Sequence, residues 1–286
     1  MTIRKRDGAT QGVAISETRD IPRLRLLARW YALSARQIAR FEAGWGTEMD
    51  EKQLASATNV VRKRLRFLEQ IAATDLVGGP LTGQLQTPKG VQAWYATPHA
   101  MDLVDNIWNL KRAATVAYTT HAMAAFDVAM SLEPYVKGMG GRIVSERESA
   151  TNTDEFGHRF PVSLASKWDA IEKRPDVVLL AGNGQKYVNV EVERRQRAPI
   201  RDYEDKMRAY STNPSVIATW YVVEGADVER KVRRAVAETH ALYPGAPIRV
   251  VQMGEVSGFK TVDLDPEMRK DLMELSKHRQ PQEVSA

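Results

Sequence analysis

The first hundred residues are dominated by apolar positions at helical spacing. Residues 21–33 (IPRLRLLARWYAL) repeat apolar side chains every three or four positions, with Pro22 in the first turn, and so predict an amphipathic helix. Ser34 is placed to cap a second short helix over residues 35–42. Asp50 then begins a third, longer helix that we expect to run to about residue 73.

The third predicted helix has two unlike sides. Its apolar stripe consists of Val61, Leu65, Leu68 and Ala72. Its other side carries the polar and basic residues Asn59, Arg62, Lys63 and Arg66, with Thr58 beside them. A helix seated in the major groove of double-stranded DNA needs such an arrangement, so we predict that these five residues contact phosphates or base edges.

A glycine-rich segment follows the third helix. We predict two short strands, 75–77 and 84–87, around a turn at 78–83, and a new helix beginning in Thr87-Pro88-Lys89-Gly90. Three helices followed by a hairpin are typical of a winged helix-turn-helix domain, which we assign to residues 1–98. A winged helix that binds protein instead of DNA is the alternative.

The segment from residue 99 to residue 133 is predicted to be helical and apolar. Its expected core residues are Trp108, Leu110, Val116 and Phe126. His99 and His121 lack the spacing of metal ligands, and we interpret both as structural. The most apolar stretch contains Asp127 and several Thr, so we expect a buried helix and no membrane partner.

The rest of the chain alternates strands and helices. The predicted strands are 141–148, 177–180, 186–194, 216–223 and 248–253, and the predicted helices are 199–210 and 228–241. This order indicates an α/β domain with a mixed central sheet over residues 99–260, followed by a C-terminal helix and tail over 261–286. The whole chain is then α+β.

Acidic residues gather on one predicted strand. Val188, Val190 and Val192 alternate with Glu191 and Glu193, so the two glutamates share the face opposite the valines. Asp176 stands at the mouth of the preceding strand, where its carboxylate can lie beside that of Glu191. Clustered carboxylates repel one another and normally accompany a cation. Oxygen ligands without cysteine favour Mg²⁺ or Mn²⁺, so Asp176 and Glu191 are candidate Mg²⁺ ligands.

Charge adds a hint about the partner. The 286 residues include 41 Lys or Arg and 36 Asp or Glu, a net charge of +5. Residues 1–98 hold 15 basic and 9 acidic residues and therefore supply the whole excess. A basic first domain suits a polyanion, although a solvated cationic surface explains the same excess. The absence of cysteine excludes a disulfide scaffold, a zinc ribbon and a thiol nucleophile, and the basic start lacks a signal peptide, so we expect a cytoplasmic protein.

The combination of Arg174-Pro175-Asp176, Glu191-Val192-Glu193 and Lys206-Met207-Arg208-Ala209-Tyr210 resembles the PD-(D/E)XK nuclease-like fold. The chain as a whole resembles the replication-relaxation family of actinobacterial plasmids and mobile elements, also through Thr87-Pro88-Lys89-Gly90 and His121. That family joins an N-terminal winged helix to a nuclease-like domain. The resemblance implies DNA handling and, less directly, cleavage.

One position departs from the nuclease pattern. The residue two after the metal-binding acid is lysine in that pattern, and here it is Glu193. Lys186 is too far along the strand to replace it, whereas Lys206, one helix later, can supply a migrated ammonium group. The predicted catalytic residues are therefore Asp176, Glu191, Glu193 and Lys206. Glu146 and Glu148, on the strand before, are further candidate ligands. Alternatively, Asp176 and Glu191 pair with Arg174, Arg194 or Arg195, and the site is a degenerate scaffold.

Three functions stay open at this point. The first is a DNA-binding regulator or replication or transfer accessory factor whose second domain is a docking or homodimerisation platform. The second is a Mg²⁺-dependent endonuclease or nickase using Asp176, Glu191 and Lys206. In both, Arg194, Arg195 and Arg197 are predicted to hold phosphates. The third is a protein-interaction adaptor. The replacement of the pattern's lysine by Glu193 favours the first.

Overall fold

The structure, a computed structural model, describes residues 2–3, 13–45, 47–70, 80–104, 115–195 and 199–279. The fold is a mixed α/β arrangement with two compact units. Unit 1 comprises residues 1–123 with 155–157, and unit 2 comprises 124–154 with 158–286. The division falls inside a helix, after Met123, whereas the sequence places the boundary at residue 98. No helix in the described part of the chain combines the length and apolarity needed to cross a membrane.

Unit 1 contains three helices that begin where the sequence predicts. They are α1 (Asp20–Trp30), α2 (Ala35–Glu42) and α3 (Glu51–Gln70). Ser34 caps α2, because its hydroxyl accepts from the Gln37 amide while the Gln37 side chain accepts from the Ser34 amide. Asp50 caps α3 in the same way, with 2.7 Å between its Oδ1 and the Gln53 amide nitrogen. The predicted apolar stripe of α3 is confirmed for Val61, Leu65 and Leu68, all buried.

Short strands complete unit 1. Strands β1 (Thr2–Ile3) and β2 (Val13–Ala14) pair antiparallel, and β3 (Leu33–Ser34), β4 (Thr82–Gln86) and β5 (Gln92–Ala96) form a sheet in the order β3-β5-β4. The prediction that Thr87-Pro88-Lys89-Gly90 starts a helix is wrong, since this segment is the turn between β4 and β5. Pro88 suits either structure, but Gly90 has φ +76°, which a turn accepts and a helix does not. The strand predicted at 75–77 and the first part of the turn predicted at 78–83 lie outside the described residues. The end of that turn needs correction, since Thr82 and Gly83 belong to β4, whose hairpin partner is β5.

The segment that joins the units is only partly as predicted. A 3₁₀ helix (Pro98–Leu103) is followed, beyond residues outside the described part, by the long helix α4 (Val116–Gly138). Phe126 is fully buried and confirms its place in the core, whereas Val116 is 41% exposed and does not belong to it. Trp108 and Leu110 lie outside the described residues.

Unit 2 is built on a six-stranded mixed sheet. The strands of the sheet are β6 (Arg142–Ser145), β9 (Val177–Leu180), β10 (Tyr187–Glu193), β11 (Val216–Val223), β12 (Ile248–Val256) and β13 (Phe259–Val262). A separate hairpin consists of β7 (Ser166–Trp168) and β8 (Ile171–Lys173). The sheet order is β13-β12-β11-β10-β9-β6, and β7 pairs only with β8. Strands β10, β11 and β12 are parallel, and the outer pairings are antiparallel. The mixed central sheet is therefore as predicted.

Helices cover both faces of this sheet. They are α5 (Glu146–Thr151), α6 (Ile200–Ser211), α7 (Ala226–Leu242) and α8 (Pro266–Ser276). Tyr203 and Met207 of α6 and Val232 of α7 pack with Tyr221 of β11 in one core cluster. Trp220 is the next residue along β11 and therefore faces the opposite side. There its indole nitrogen lies 2.9 Å from Oδ2 of Asp271 in α8.

Two local predictions in unit 2 need correction. The strand predicted over 141–148 ends at Ser145, because Ser145 caps α5 and Glu148 completes a reciprocal capping box. The sequence predicts no strand between residues 148 and 177, but the structure has the β7–β8 hairpin there, and Asp169 and Ala170 at its tip have φ of +47° and +63°. Strand β11 has the predicted bounds, and α8 is the predicted C-terminal helix.

Candidate functional site

Two neighbouring strands bring the predicted acids together. Strands β9 and β10 are antiparallel, and Val177 pairs with Val190. One step further along this register, Asp176 comes to lie beside Glu191, as the sequence predicts. The Asp176 carboxylate accepts a hydrogen bond from the Val192 amide, with 2.7 Å from Oδ2 to the nitrogen. Asp176 is thereby fixed at the end of β9.

Helix α6 supplies the partners of Glu191. Lys206 and Tyr210 are four residues apart and project from the same side of the helix. The Lys206 Nζ lies 2.6 Å from Oε2 of Glu191, and the Tyr210 hydroxyl lies 2.7 Å from Oε1. Both carboxylate oxygens of Glu191 therefore have a donor. The predicted proximity of Lys206 to the acidic strand is present, and the alternative pairing of Glu191 with Arg174, Arg194 or Arg195 is not the one that the structure has.

Burial and charge act against each other in this pair. Glu191 has no exposed surface. Burial raises its pKa above the usual value, with a further contribution from Asp176, although Lys206 lowers it. Burial lowers the pKa of Lys206, but Glu191 and Asp176 outweigh this effect, so that the pKa of Lys206 is raised. Lys206 is therefore an ammonium group across the physiological pH range.

Two more glutamates surround the pair. Burial raises the pKa of Glu193 to about 7, and Glu191 and Asp176 add to the shift. The Tyr203 hydroxyl lies 3.2 Å from Oε2 of Glu193. Burial also raises the pKa of Glu146, in the first turn of α5, to about 7, with Asp176 as the next cause. We call Glu146, Asp176, Glu191, Glu193 and Lys206 the acidic cluster. It has four carboxyl groups and one cation.

Glu146 and Glu148 have different roles although the sequence treats them alike. The Glu148 carboxylate lies 2.7 Å from the Ser145 amide and 2.9 Å from its hydroxyl, so it serves the cap of α5. Glu146 instead belongs to the acidic cluster. The Ser145-x-x-Glu148 spacing is a capping-box signature in the sequence, and it was the available signal for this distinction.

Several polar groups at this face were not predicted. Asn189 and Tyr221 are fully buried on the face of the sheet that carries Glu191. Neither the Asn189 amide nor the Tyr221 hydroxyl has a hydrogen-bond partner among the described residues. Tyr203, Lys206 and Tyr210 follow helical spacing, which is the one sequence signal for Tyr203. That Asn189 and Tyr221 lie on the same face as Glu191 could be found only from the register of the sheet.

The acidic cluster has part of the chemistry of a cation site. Its donors are carboxylate oxygens, which match Mg²⁺ or Mn²⁺ in chemistry. Within the described ranges, no group of three or more His, Asp or Glu side chains is arranged to hold a metal ion. Asp176 and Glu191 are adjacent and have the carboxylate oxygens that the predicted Mg²⁺ ligands require. Both oxygens of Glu191 already accept hydrogen bonds, from Lys206 and from Tyr210.

The cations after β10 do not form the predicted run. The Arg194 Nε lies 2.7 Å from Oε2 of Glu224, and only 13% of the Arg194 side chain is exposed. Arg194 therefore neutralises Glu224 and does not present its guanidinium to a phosphate. Arg195 is exposed, and Arg197 lies outside the described residues. Lys186 stands at the other end of β10, where its Nζ lies 2.7 Å from the Pro214 carbonyl oxygen.

A second candidate surface lies on α3. Asn59, Lys63 and Arg66 are exposed and Arg62 is half-buried, and we call these four residues the α3 surface. The Arg62 Nη1 lies 2.7 Å from Oδ1 of Asn59. The prediction that Thr58 belongs with them needs correction. Thr58 is buried, and its hydroxyl donates to the Leu54 carbonyl oxygen at 2.7 Å.

The exposed acid at the start of α3 is neutralised. The Arg36 guanidinium binds both carboxylate oxygens of Glu51, at 2.6 and 2.8 Å. Glu51 is the first residue of α3 and would otherwise repel an anionic partner. The cationic character of this helix is thus preserved along its exposed side.

The histidines lie apart from the acidic cluster's residues in the sequence, and two of them have a described neighbour. The His121 ring lies 5.5 Å from the Tyr118 ring, and the His158 Nδ1 lies 3.4 Å from Oδ2 of Asp154. His99 is exposed in the 3₁₀ helix.

No protein-family model matches the sequence, and comparisons with curated proteins and with solved structures likewise give no match.

Proposed function

We propose that this chain is a double-stranded DNA-binding protein of a plasmid, phage or other mobile element, as the resemblance to the replication-relaxation family implies. In this proposal it acts as a transcriptional regulator or as a replication or transfer accessory factor. Unit 1 is a winged helix-turn-helix domain and unit 2 is a PD-(D/E)XK nuclease-like domain. Each assignment has its own support.

The order of elements in unit 1 supports a winged helix. The chain runs α1, β3, α2, α3, β4 and β5, and the three strands form one antiparallel sheet. In such domains the third helix enters the major groove and the hairpin forms the wing. The β4–β5 turn places exposed Lys89 at the tip of that hairpin.

The single observation that carries DNA binding is the α3 surface. Three basic side chains, of Arg62, Lys63 and Arg66, lie on the side of α3 opposite the buried Val61 and Leu65. Lys63 and Arg66 are exposed, and Arg62 donates to the uncharged side chain of Asn59. Exposed cations are available to phosphates.

The test is salt-dependent binding of fluorescent duplex DNA to the full chain. We expect the affinity to fall steeply with salt, and we expect Lys63→Ala or Arg66→Ala to reduce the slope by about 1 each. The control is Arg230→Ala, an exposed residue of α7, which leaves the slope unchanged. Salt-independent binding, or no binding to any duplex, would refute DNA binding and favour the protein-interaction adaptor.

A second candidate function is Mg²⁺-dependent cleavage or nicking of DNA in unit 2. The order α4, β6, β9, β10, α6 and β11, with β10 and β11 parallel, supports a nuclease-like domain. The specific observation that favours activity is the 2.6 Å contact between Lys206 and Glu191. It places an ammonium group at the carboxylates although Glu193 occupies the usual lysine position.

In this candidate function, Asp176 and Glu191 would hold the ion. Bound Mg²⁺ would polarise a phosphate oxygen and lower the pKa of an attacking water. Lys206 lowers the pKa of Glu191 and so opposes the larger effect of burial, and Tyr210 donates a hydrogen bond to the same carboxylate. Glu193 or Glu146, with a pKa of about 7, can take up a proton near neutral pH.

The test separates the two candidate functions. Supercoiled, forked and single-stranded DNA are incubated with the full chain and Mg²⁺ or Mn²⁺. A nuclease produces nicks that Asp176→Asn and Lys206→Met abolish while duplex binding persists. If the wild type binds DNA but cuts none of these substrates, unit 2 is a non-catalytic platform, and its dimerisation is then measured by analytical ultracentrifugation.

A further inference from the structure

Val60 is an apolar residue on α3 that the fold does not use. It is 60% exposed, whereas Leu54, Val61, Leu65 and Leu68 of the same helix are 0–3% exposed. A β-branched side chain lowers helix propensity, and exposed apolar surface is unfavourable in water. Nothing in the packing of the described residues of unit 1 therefore accounts for valine at this position.

The surroundings of Val60 are polar and cationic. Asn59 precedes it, Lys63 lies three residues later on the same exposed side, and Ser56 lies four residues earlier. A protein or membrane partner would require a wider apolar patch than one side chain. The partner that combines dense negative charge with isolated apolar groups is the major groove of DNA, where thymine presents its C5-methyl group between the phosphate rows.

The exposed side chains of α3 differ in how far they can reach from the helix. Lys63 and Arg66 are long and exposed, so they can reach out to phosphates beside the helix. Ser56 and Val60 are short, so they can contact only what lies directly against α3. Arg62 is tied to Asn59 by the 2.7 Å hydrogen bond, which keeps this guanidinium beside the helix and away from Val60.

We infer that Val60 is a specificity-determining residue that contacts the C5-methyl group of a thymine in the major groove. The inference rests on the proposed DNA binding and adds a base to it. Uracil differs from thymine only in lacking that methyl group. The C5-methyl group can therefore be removed from the DNA, and the γ-methyl groups of Val60 can be removed from the protein, in separate experiments.

The experiment starts from duplexes that the wild-type chain selects from a randomised library. Each thymine of the preferred duplex is replaced in turn by uracil, and affinities are measured for the wild type and for Val60→Ala. We expect one replacement to weaken wild-type binding ~4-fold, the equivalent of one buried methyl group. Val60→Ala should bind both duplexes with nearly equal affinity, because alanine lacks the two γ-methyl groups and its remaining Cβ lies too close to the helix to reach the thymine methyl group.

The control variant is Val256→Ala, at an exposed valine in β12 of unit 2. It keeps the ~4-fold preference for thymine. If the wild type binds no duplex, the proposed function itself fails. If the wild type binds DNA but tolerates every uracil, or if Val60→Ala still prefers thymine, DNA binding stands and the role of Val60 is overturned. Circular dichroism confirms that both variants are folded.

Discussion

The Nζ of Lys206 in α6 lies 2.6 Å from Oε2 of Glu191 in β10. The pair joins a helix and a strand across a buried face of the sheet, and Glu191 has no exposed surface. Breaking a buried ion pair by removing one partner is costly because the other charge stays behind without water.

Replacing Lys206 by methionine tests how far unit 2 depends on this pair. We expect Lys206→Met to lower the free energy of unfolding by about 3 kcal/mol. Adding Glu191→Gln to this variant should restore part of the loss, because no charge is then left buried. Urea denaturation gives the free energies, and hydrogen exchange of the β10 amides assigns the change to unit 2.

Lys277→Met is the control for that substitution. Its ammonium group pairs with Glu274 on the surface, and 67% of the Lys277 side chain is exposed. We expect its loss to leave the free energy of unfolding nearly unchanged. Equal effects at Lys206 and Lys277 would contradict the buried-pair interpretation.

The raised pKa of Glu193 predicts a pH dependence of stability. Burial raises this pKa from 4.5 to about 7, so the folded state binds the proton more tightly than the unfolded state does. The free energy of unfolding should therefore fall as the pH rises from about 4.5 to about 7, and level off above. The loss from Glu193 is on the order of 3 kcal/mol.

Glu193→Gln should flatten this part of the profile. Denaturation is measured at intervals between pH 4 and pH 9 in the presence of a chelator, so that no cation contributes. Glu238→Gln, at an exposed position on α7, is the control and should leave the slope as in the wild type. Parallel profiles for the wild type and Glu193→Gln would show that Glu193 is not the group responsible.

The buried carboxylate of Asp20 predicts that the stability of unit 1 also depends on a buried charge. Burial raises its pKa, but hydrogen bonds from Arg64 and the Ser16 amide outweigh burial, so the pKa of Asp20 is lowered. Its stabilisation is present above the unfolded value of 3.8 and is lost as the pH falls below it. We expect Asp20→Asn to destabilise unit 1 by about 3 kcal/mol in thermal or urea unfolding at pH 7.

The Arg36–Glu51 pair provides a matched comparison with Asp20 and Arg64. Both are two-point arginine–carboxylate pairs in unit 1, but 69% of the Glu51 side chain is exposed and none of the Asp20 side chain is. Glu51→Gln should leave the unfolding midpoint unchanged. A midpoint shift as large as that of Asp20→Asn would mean that burial does not decide the cost.

Gly141 predicts a steric limit at the start of β6. A Cβ atom there would lie 2.5 Å from the Leu180 carbonyl oxygen and 3.1 Å from Cγ1 of Val136. Gly141→Ala must therefore displace backbone and should cost about 1–3 kcal/mol in urea unfolding. Gly138→Ala, at the end of α4 with no atom within 4 Å, should be neutral or slightly stabilising. The interpretation fails if the two variants are equally stable.

Local sequence patterns predicted those elements whose signals lie within one segment. The caps at Ser34 and Asp50 fix the starts of α2 and α3, and the continuous apolar run of Val216–Val223 has the bounds of β11. The same kind of signal was available at Ser145, where the capping box ends β6, but the alternation of residues 141–148 concealed it.

Other features depend on contacts between distant segments. Pro88 fits the first turn of a helix and a β-turn equally well, and only the pairing of β4 with β5 decides between them. The meeting of Asp176 and Glu191 followed from strand pairing and could be predicted. The buried state of Thr58 and the Arg194–Glu224 pair depend on tertiary packing, so the sequence assigned both residues to an exposed surface.

The position of Lys206 has a consequence for surveys of related chains. Fifteen residues separate Lys206 from Glu191 along the chain, and the connection between β10 and α6 lies between them. Insertions or deletions in that connection alter the spacing without moving either charge. A linear motif of acid, any residue and lysine would therefore overlook such chains, whereas a three-dimensional template of the two charges would recover them.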